Sequence, residues 1–177
     1  MNSKLSIVYI AIGSNLNNPP FQVKKAIKAI NSLSNTNLIS HSSLYKTKPL
    51  DFKNHPNYAN AVIKISTYFS PILLLKALKN IEFNHGRVYN ERWGPRIIDL
   101  DILLYDNLIL NSQTLTIPHS QLRFRDFVLL PLLEISPELI LPTGEKLKTI
   151  ANNNKEVYII NKTTLVYNSS TFSNSVI

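Results

Sequence analysis

The chain has 177 residues, 44% of them hydrophobic, and contains no cysteine. That length suits one buried core and is short for two, and the composition excludes wholesale disorder, disulfides, thiol nucleophiles and thiolate metal sites. The formal charge of +8 favours an anionic partner; with no apolar run of membrane-span length and no signal-peptide anatomy at the N-terminus, a reducing cytoplasm is the expected location.

Residues 5–12 form a β-rich apolar run that ends at a turn cluster, Gly13-Ser14-Asn15. Pro19 and Pro20 open a helix in which Phe21, Lys24, Ala26, Ile27, Ile30 and Leu33 recur at helical spacing. A second strand is expected over 37–46, followed by a loop from Thr47 to Asn57. Residues 58–68 alternate apolar and polar, the pattern of a third strand with one half-polar face. Ser70 is placed to cap a helix with Pro71 in its first turn, running through Leu74, Leu78 and Ile81 and stopping near Gly86. Residues 87–96 lack an apolar period and contain Gly94-Pro95, which predicts a loop. A strand over 97–105 follows, then a hairpin through Asp106-Asn107 towards 114–117. Helices around 126–134 and 146–151, a strand at 156–160 with a further one to 167, and a small polar tail from Asn168 complete the chain. The order β-α-β-β-α-β predicts an α+β fold, a ferredoxin-like βαββαβ sandwich with both helices on one sheet face, an additional hairpin and a C-terminal extension. With no repeat or linker, a single domain over 1–167 and a flexible tail over 168–177 are expected.

All five arginines (Arg87, Arg92, Arg96, Arg123 and Arg125) fall between residues 87 and 125, while every other basic residue is lysine. Guanidinium is a rigid fork that grips two phosphate oxygens, so their clustering points to a phosphate-rich ligand. Asp99 and Asp101 are two apart on a predicted strand and so share a face, with Ile98, Leu100, Ile102 and Leu104 expected on the other. Neighbouring carboxylates are unfavourable unless a cation joins them, and Mg²⁺ takes such oxygen ligands; pairing with arginines such as Arg96 is the structural alternative. The loop with Arg87, Arg92 and Arg96 also holds the only tryptophan, Trp93, which suits closure over a nucleotide or burial in the core. Tyr58 and Asn60 share a strand face, as a stacking surface and an edge-reading amide for a flat heterocycle require. His119 is assigned to phosphate contact rather than to proton transfer, and no isolated general base stands out. An RNA-binding module shares the same element order but needs exposed aromatics where this chain has two carboxylates. A transferase using the Asp-x-Asp pair on a nucleotide sugar is the third reading.

Several stretches together resemble the 6-hydroxymethyl-7,8-dihydropterin pyrophosphokinase family of folate biosynthesis. They are YIAIGSNL (9–16), YKTKPL and NHPNYANAV (45–62), GRVYNERWGPRIIDLDILLYDN (86–107) and LTIPHSQLRFRDFVLLPLLEI (115–135). The resemblance implies transfer of pyrophosphate from ATP to the pterin hydroxymethyl group, and a cytoplasmic monomer without nucleic-acid or membrane partners is expected. It implies that Asp99 and Asp101 hold two Mg²⁺ ions, with Arg87 and Arg96 also at the reacting centre. Arg92 and Trp93 would belong with them to a mobile loop, and Glu82, Ile102, Thr116, His119 and Arg125 would line the nucleotide site. Thr47, Pro49, Leu50, Tyr58, Asn60 and Phe127 would form the pterin pocket, with Tyr58 and Phe127 sandwiching the ring. Lys79, Thr114 and Ser120 stand where relatives can carry Gln, Arg and Tyr, and the 87–92 loop is one residue shorter than in some relatives.

Overall fold

In the computed structural model, which describes residues 4–50, 55–86 and 95–167, the N-terminal apolar run becomes a central strand of a six-stranded sheet. This strand, β1 (Ser6–Ser14), continues through Gly13 and Ser14, beyond the turn expected there. On one side it pairs with β4 (Tyr58–Thr67) and on the other with β5 (Asp99–Tyr105), both antiparallel. Along the far side of β4 lie β2 (Thr36–His41) and β3 (Leu44–Thr47), and β3 in turn pairs with β8 (Ile159–Thr163) at the edge. The strand expected over 37–46 is therefore two. Ser42 divides them: its hydroxyl accepts from Val62 N at 3.0 Å, replacing a ladder carbonyl, and donates to Ser43 O at 2.8 Å.

One sheet face is covered by α1 (Pro19–Asn31) and α2 (Pro71–Asn84). The buried stripe of α1 is Val23, Ala26, Ile27 and Ile30, whereas Phe21, expected on it, is exposed. Ser70 caps α2 by accepting from Leu73 N, and Gly86 ends the turn after it at φ 81°, a conformation costly for residues with a Cβ. Leu74 and Leu78 are fully buried against Ile98, Leu100 and Ile102.

The opposite face carries a second core under α3 (Asp126–Ile135) and α4 (Leu147–Asn153). Leu104 belongs to this core, not to the face of Ile102 as strict alternation predicts. The β1–β5 register shifts between Tyr9 and Ile10, so one extra residue of β5 is accommodated and Tyr105 takes the α1–α2 side. Two further expectations are revised. The hairpin forms later than Asp106-Asn107, as β6 (Leu110–Asn111) pairs with β7 (Thr116–Ile117), closed by Ser112 bonding Leu115 in both directions. The last strand starts at Ile159 rather than at residue 156, because Asp126 captures the amides of Tyr158 and Ile159 at its start. The tail from Asn168 lies outside the described residues, and no helix among the described residues is long and apolar enough to cross a membrane.

Two carboxylates, one buried and one partly exposed, tie these layers together. Glu82, fully buried on α2, accepts from Leu100 N of β5 at 2.7 Å and from Lys79 Nζ at 3.0 and 3.1 Å. Glu134 on α3 accepts from Ser43 N, Ser43 Oγ and Tyr45 OH at 3.0, 2.7 and 2.6 Å, with Lys162 Nζ at 3.4 Å. Partial burial pushes the Glu134 carboxyl up, but the bonds from Tyr45 and Ser43 and the Lys162 charge outweigh it, so it ionises below its ordinary range. Burial, reinforced by Glu134, raises the Tyr45 phenol.

Glu82→Ala leaves the Leu100 amide buried without its acceptor and should cost about 1–3 kcal/mol in urea unfolding. A carboxyl ionising more readily when folded stabilises the protein above its unfolded value and loses that contribution as the pH falls. The drop in urea midpoint between about pH 7 and pH 3 should therefore be larger in the wild type than in Glu134→Gln; equal drops would show that Glu134 does not couple folding to protons.

Candidate functional site

A row of facing residues crosses the sheet on its α3 side. Gly13 of β1 lies opposite Asp99 of β5 on one hand and Asn60 of β4 on the other, and Ala11 lies opposite Asp101. With strands about 4.8 Å apart, the Asp99 and Asn60 backbones stand about 10 Å apart across the glycine. Helix α3 does not cover this end of the sheet, and a cavity of about 560 Å³ remains. Small residues, Ala11 and Gly13, make its floor. Asp99, Asp101, Arg96, His119 and Arg125 line it together with Thr47, Leu50, Tyr58, Asn60 and Phe127.

Asn60 Nδ2 donates to Thr47 Oγ1 at 2.9 Å, and a Cβ on Gly13 would lie 2.9 Å from Asn60 Oδ1. The glycine is thus required for close approach of the amide. Asn15 plays a comparable part for Arg96. Its Oδ1 accepts from Arg96 N at 2.7 Å, and its main-chain N–H donates to Arg96 O at 3.1 Å. The guanidinium so placed donates to Asp99 Oδ2 at 2.7 Å.

Removal from water, then the neighbouring Asp99 charge, pushes the Asp101 carboxyl up to about 6. A third of its side chain, 34%, still opens on the cavity. His119 is strapped to β5 by its amide bonding Leu103 O at 2.9 Å, and its Nε2 lies 4.0 Å from Asp101 Oδ2. Burial and the Arg125 charge lower the His119 pKa, so the ring is neutral near pH 7. Because Nδ1 accepts from Gln121 N at 3.2 Å, the proton sits on Nε2, the nitrogen nearer Asp101. Arg125 stands within 5.8 Å of the Phe127 ring centroid, and Phe127 meets Tyr158 edge to face.

Two crowded carboxylates offer hard oxygen donors that fit a divalent cation, which would relieve the repulsion that raises the Asp101 pKa. Among the described residues no group of three or more His, Asp and Glu could hold a metal by itself. The remaining ligands of a hard ion would be water and the oxygens of a bound polyphosphate.

Not every residue singled out from the sequence lines this cavity. Glu82 spends its carboxylate inside the fold, on Leu100 and Lys79. Ile102 is 2% exposed in the α1–α2 core, because period-two alternation sends its side chain away from that of Asp101. Pro49 and Thr116 are described but do not line the cavity. Arg87, Arg92 and Trp93 lie outside the described residues. Conversely, Gly13, Lys48, Gln121, Phe124, Glu156 and Tyr158 line the cavity without having been anticipated. Of these only Gly13 carried a signal, a glycine at the end of an apolar strand pattern.

Comparison with known proteins bears on the same stretch. The model of the 7,8-dihydro-6-hydroxymethylpterin-pyrophosphokinase family matches residues 9–137. A 2-amino-4-hydroxy-6-hydroxymethyldihydropteridine pyrophosphokinase of Haemophilus influenzae is 53% identical over 137 residues, covering 77% of this chain and 86% of that one. The enzyme of the same name from Pseudomonas aeruginosa is 43% identical over 140 residues, 79% of this chain and 86% of that one. Among solved structures, the Plasmodium falciparum HPPK-DHPS superposes with a TM-score of 0.68 at 15% identity, a likeness of fold; the match covers 84% of this chain and 44% of that longer one. With the family model spanning the acidic pair, the arginines and the aromatic–amide end of the cavity, the chain belongs to the 7,8-dihydro-6-hydroxymethylpterin-pyrophosphokinase family.

Proposed function

We propose that this chain transfers the pyrophosphoryl group of ATP to the hydroxymethyl oxygen of 6-hydroxymethyl-7,8-dihydropterin, giving AMP and the pterin diphosphate for folate synthesis. The observation that carries this reading is the row Asp99–Gly13–Asn60: acids and cations at one side of a cavity, an amide and aromatic rings at the other. One end suits a polyphosphate and the other a flat, hydrogen-bonding heterocycle.

Asp99 and Asp101 are assigned to hold two Mg²⁺ ions, which when bound neutralise phosphate oxygens and orient them for in-line displacement. Tyr58 and Phe127 stack on the pterin, while Asn60, kept in place by Thr47, reads its edge and Leu50 closes its side. Arg96, Arg125 and the Nε2 proton of His119 stabilise negative charge on the phosphates. The pterin hydroxyl gives up its proton to solvent as its oxygen bonds to the β-phosphorus, and the bond from the β-phosphorus to the oxygen bridging to the α-phosphorus breaks, releasing AMP. This chemistry demands positioning and charge neutralisation more than covalent help. Arg87, Arg92 and Trp93 are assigned to a loop that closes over ATP, and Pro49 to the pterin side. Thr116 and Ile102 serve the nucleotide side through the chain they belong to, and Glu82 supports it from within the fold.

In this reading the scaffold is a ferredoxin-like βαββαβ sandwich, with β2 and β3 sharing one strand position; the sheet order β5-β1-β4-β3 supports it. Residues 1–167 form one domain and 168–177 a tail, and the chain acts as a monomer in the cytoplasm. A cysteine-free composition suits that location.

Incubation with ATP, Mg²⁺ and the reduced pterin should release AMP; release of ADP would mean transfer of the terminal phosphate and overturn the reaction class. Asp101→Ala should lower kcat by about 10²–10³-fold, the scale for loss of a principal electrostatic element, with turnover no longer rising with Mg²⁺ in the millimolar range. Gly13→Ala, whose new methyl displaces the Asn60 amide, should raise the KM for the pterin about tenfold, the worth of one well-made hydrogen bond, and leave the KM for ATP unchanged.

A further inference from the structure

Residues 156–159 follow the segment matched by the family model, which ends at residue 137, yet Glu156 and Tyr158 line the cavity. Their placement is built rather than incidental. Asp126, 8% exposed at the start of α3, accepts from Tyr158 N at 2.8 Å and from Ile159 N at 3.0 Å through one carboxylate oxygen. Its other oxygen accepts from Phe127 N at 2.7 Å. From the opposite side Lys48 N donates to Tyr158 O at 3.0 Å, continuing the β3–β8 ladder in which Thr47 faces Ile159. Tyr158 is therefore fastened by its main chain to the two elements that carry Thr47 and Phe127. Its ring meets the Phe127 ring at 5.8 Å between centroids and 78° between planes, and its hydroxyl donates to Glu156 Oε2 at 2.9 Å. An edge-to-face neighbour limits the orientations open to a stacking ring.

We infer that the segment Glu156–Ile159 is a wall of the heterocycle pocket, latched by Asp126, in which Tyr158 is a positioning residue that fixes the Phe127 ring for stacking on the pterin. This rests on the proposed function and adds to it a specificity element outside the family-matched segment. Because Tyr158 acts on the stacking ring and not on the acidic pair, its loss should separate the two substrates.

The test measures dissociation constants by titration calorimetry for the reduced pterin, in the presence of a non-transferable ATP analogue and Mg²⁺, and for the analogue alone. Wild type, Tyr158→Ala, Tyr158→Leu and Tyr158→Phe are compared, each with its Tm. Tyr158→Ala and Tyr158→Leu should weaken the pterin about three- to tenfold, the scale of one ring pair, with nucleotide affinity unchanged, and Tyr158→Phe should restore it. If Tyr158→Ala does not fold, the bulkier Tyr158→Leu carries the comparison. Unchanged pterin affinity in Tyr158→Leu, equal weakening of both ligands, or failure of Tyr158→Phe to restore binding would each overturn the wall. A wild-type protein that does not bind the pterin at all would overturn the functional reading and this inference with it; binding by the wild type confines any failure to Tyr158.

Discussion

The carboxylates of Asp99 and Asp101 stand two residues apart on one strand, so the Asp99 charge adds to the cost of ionising Asp101, and the rest of the site is arranged about that repulsion. Arg96 takes one oxygen of Asp99, His119 keeps its ring proton towards Asp101, and Arg125 adds charge from the start of α3. A fold that only sought stability would place apolar side chains at these two positions, as it does at Leu100 and Ile102 on the other face. The acids are tolerable because the cavity leaves them partly open to solvent and to ligand.

The scaffold holds this arrangement by bonds that join elements distant in the chain. Asn15 grips the main chain of Arg96 across 81 residues, and Asn60 reaches Thr47 over a glycine that could not be exchanged for alanine without moving the amide. Glu82 binds α2 to β5 directly beneath the acidic pair, while Glu134 binds α3 to Tyr45 of β3 and to Ser43 before it. Each of these carboxylates accepts from more than one donor, so neither is left with its charge uncompensated.

Much of this was legible in the sequence where a local rule applied. Ser70 and Pro71 announced the start of α2, and the two-residue spacing of Asp99 and Asp101 placed both acids on the cavity. Tyr58 and Asn60 likewise share the cavity face as their spacing requires. The local rules failed where a single hydrogen bond or a register shift overrode the period. Ser42 splits the expected strand, a bulge turns Leu104 to the α3 side, and Asp126 delays β8 to Ile159.

What the sequence determined by itself was the placing of α2, the shared face of Asp99 with Asp101 and of Tyr58 with Asn60, and the residue types gathered for chemistry, because periodicity, capping and charge repulsion act between near neighbours. Only the tertiary structure decided that Glu82 is turned inward, that Gly13 makes room for an amide, and that Tyr158 stands against Phe127. Those outcomes depend on which main-chain donors and side-chain volumes meet across long sequence separations, and such meetings leave no mark in local composition.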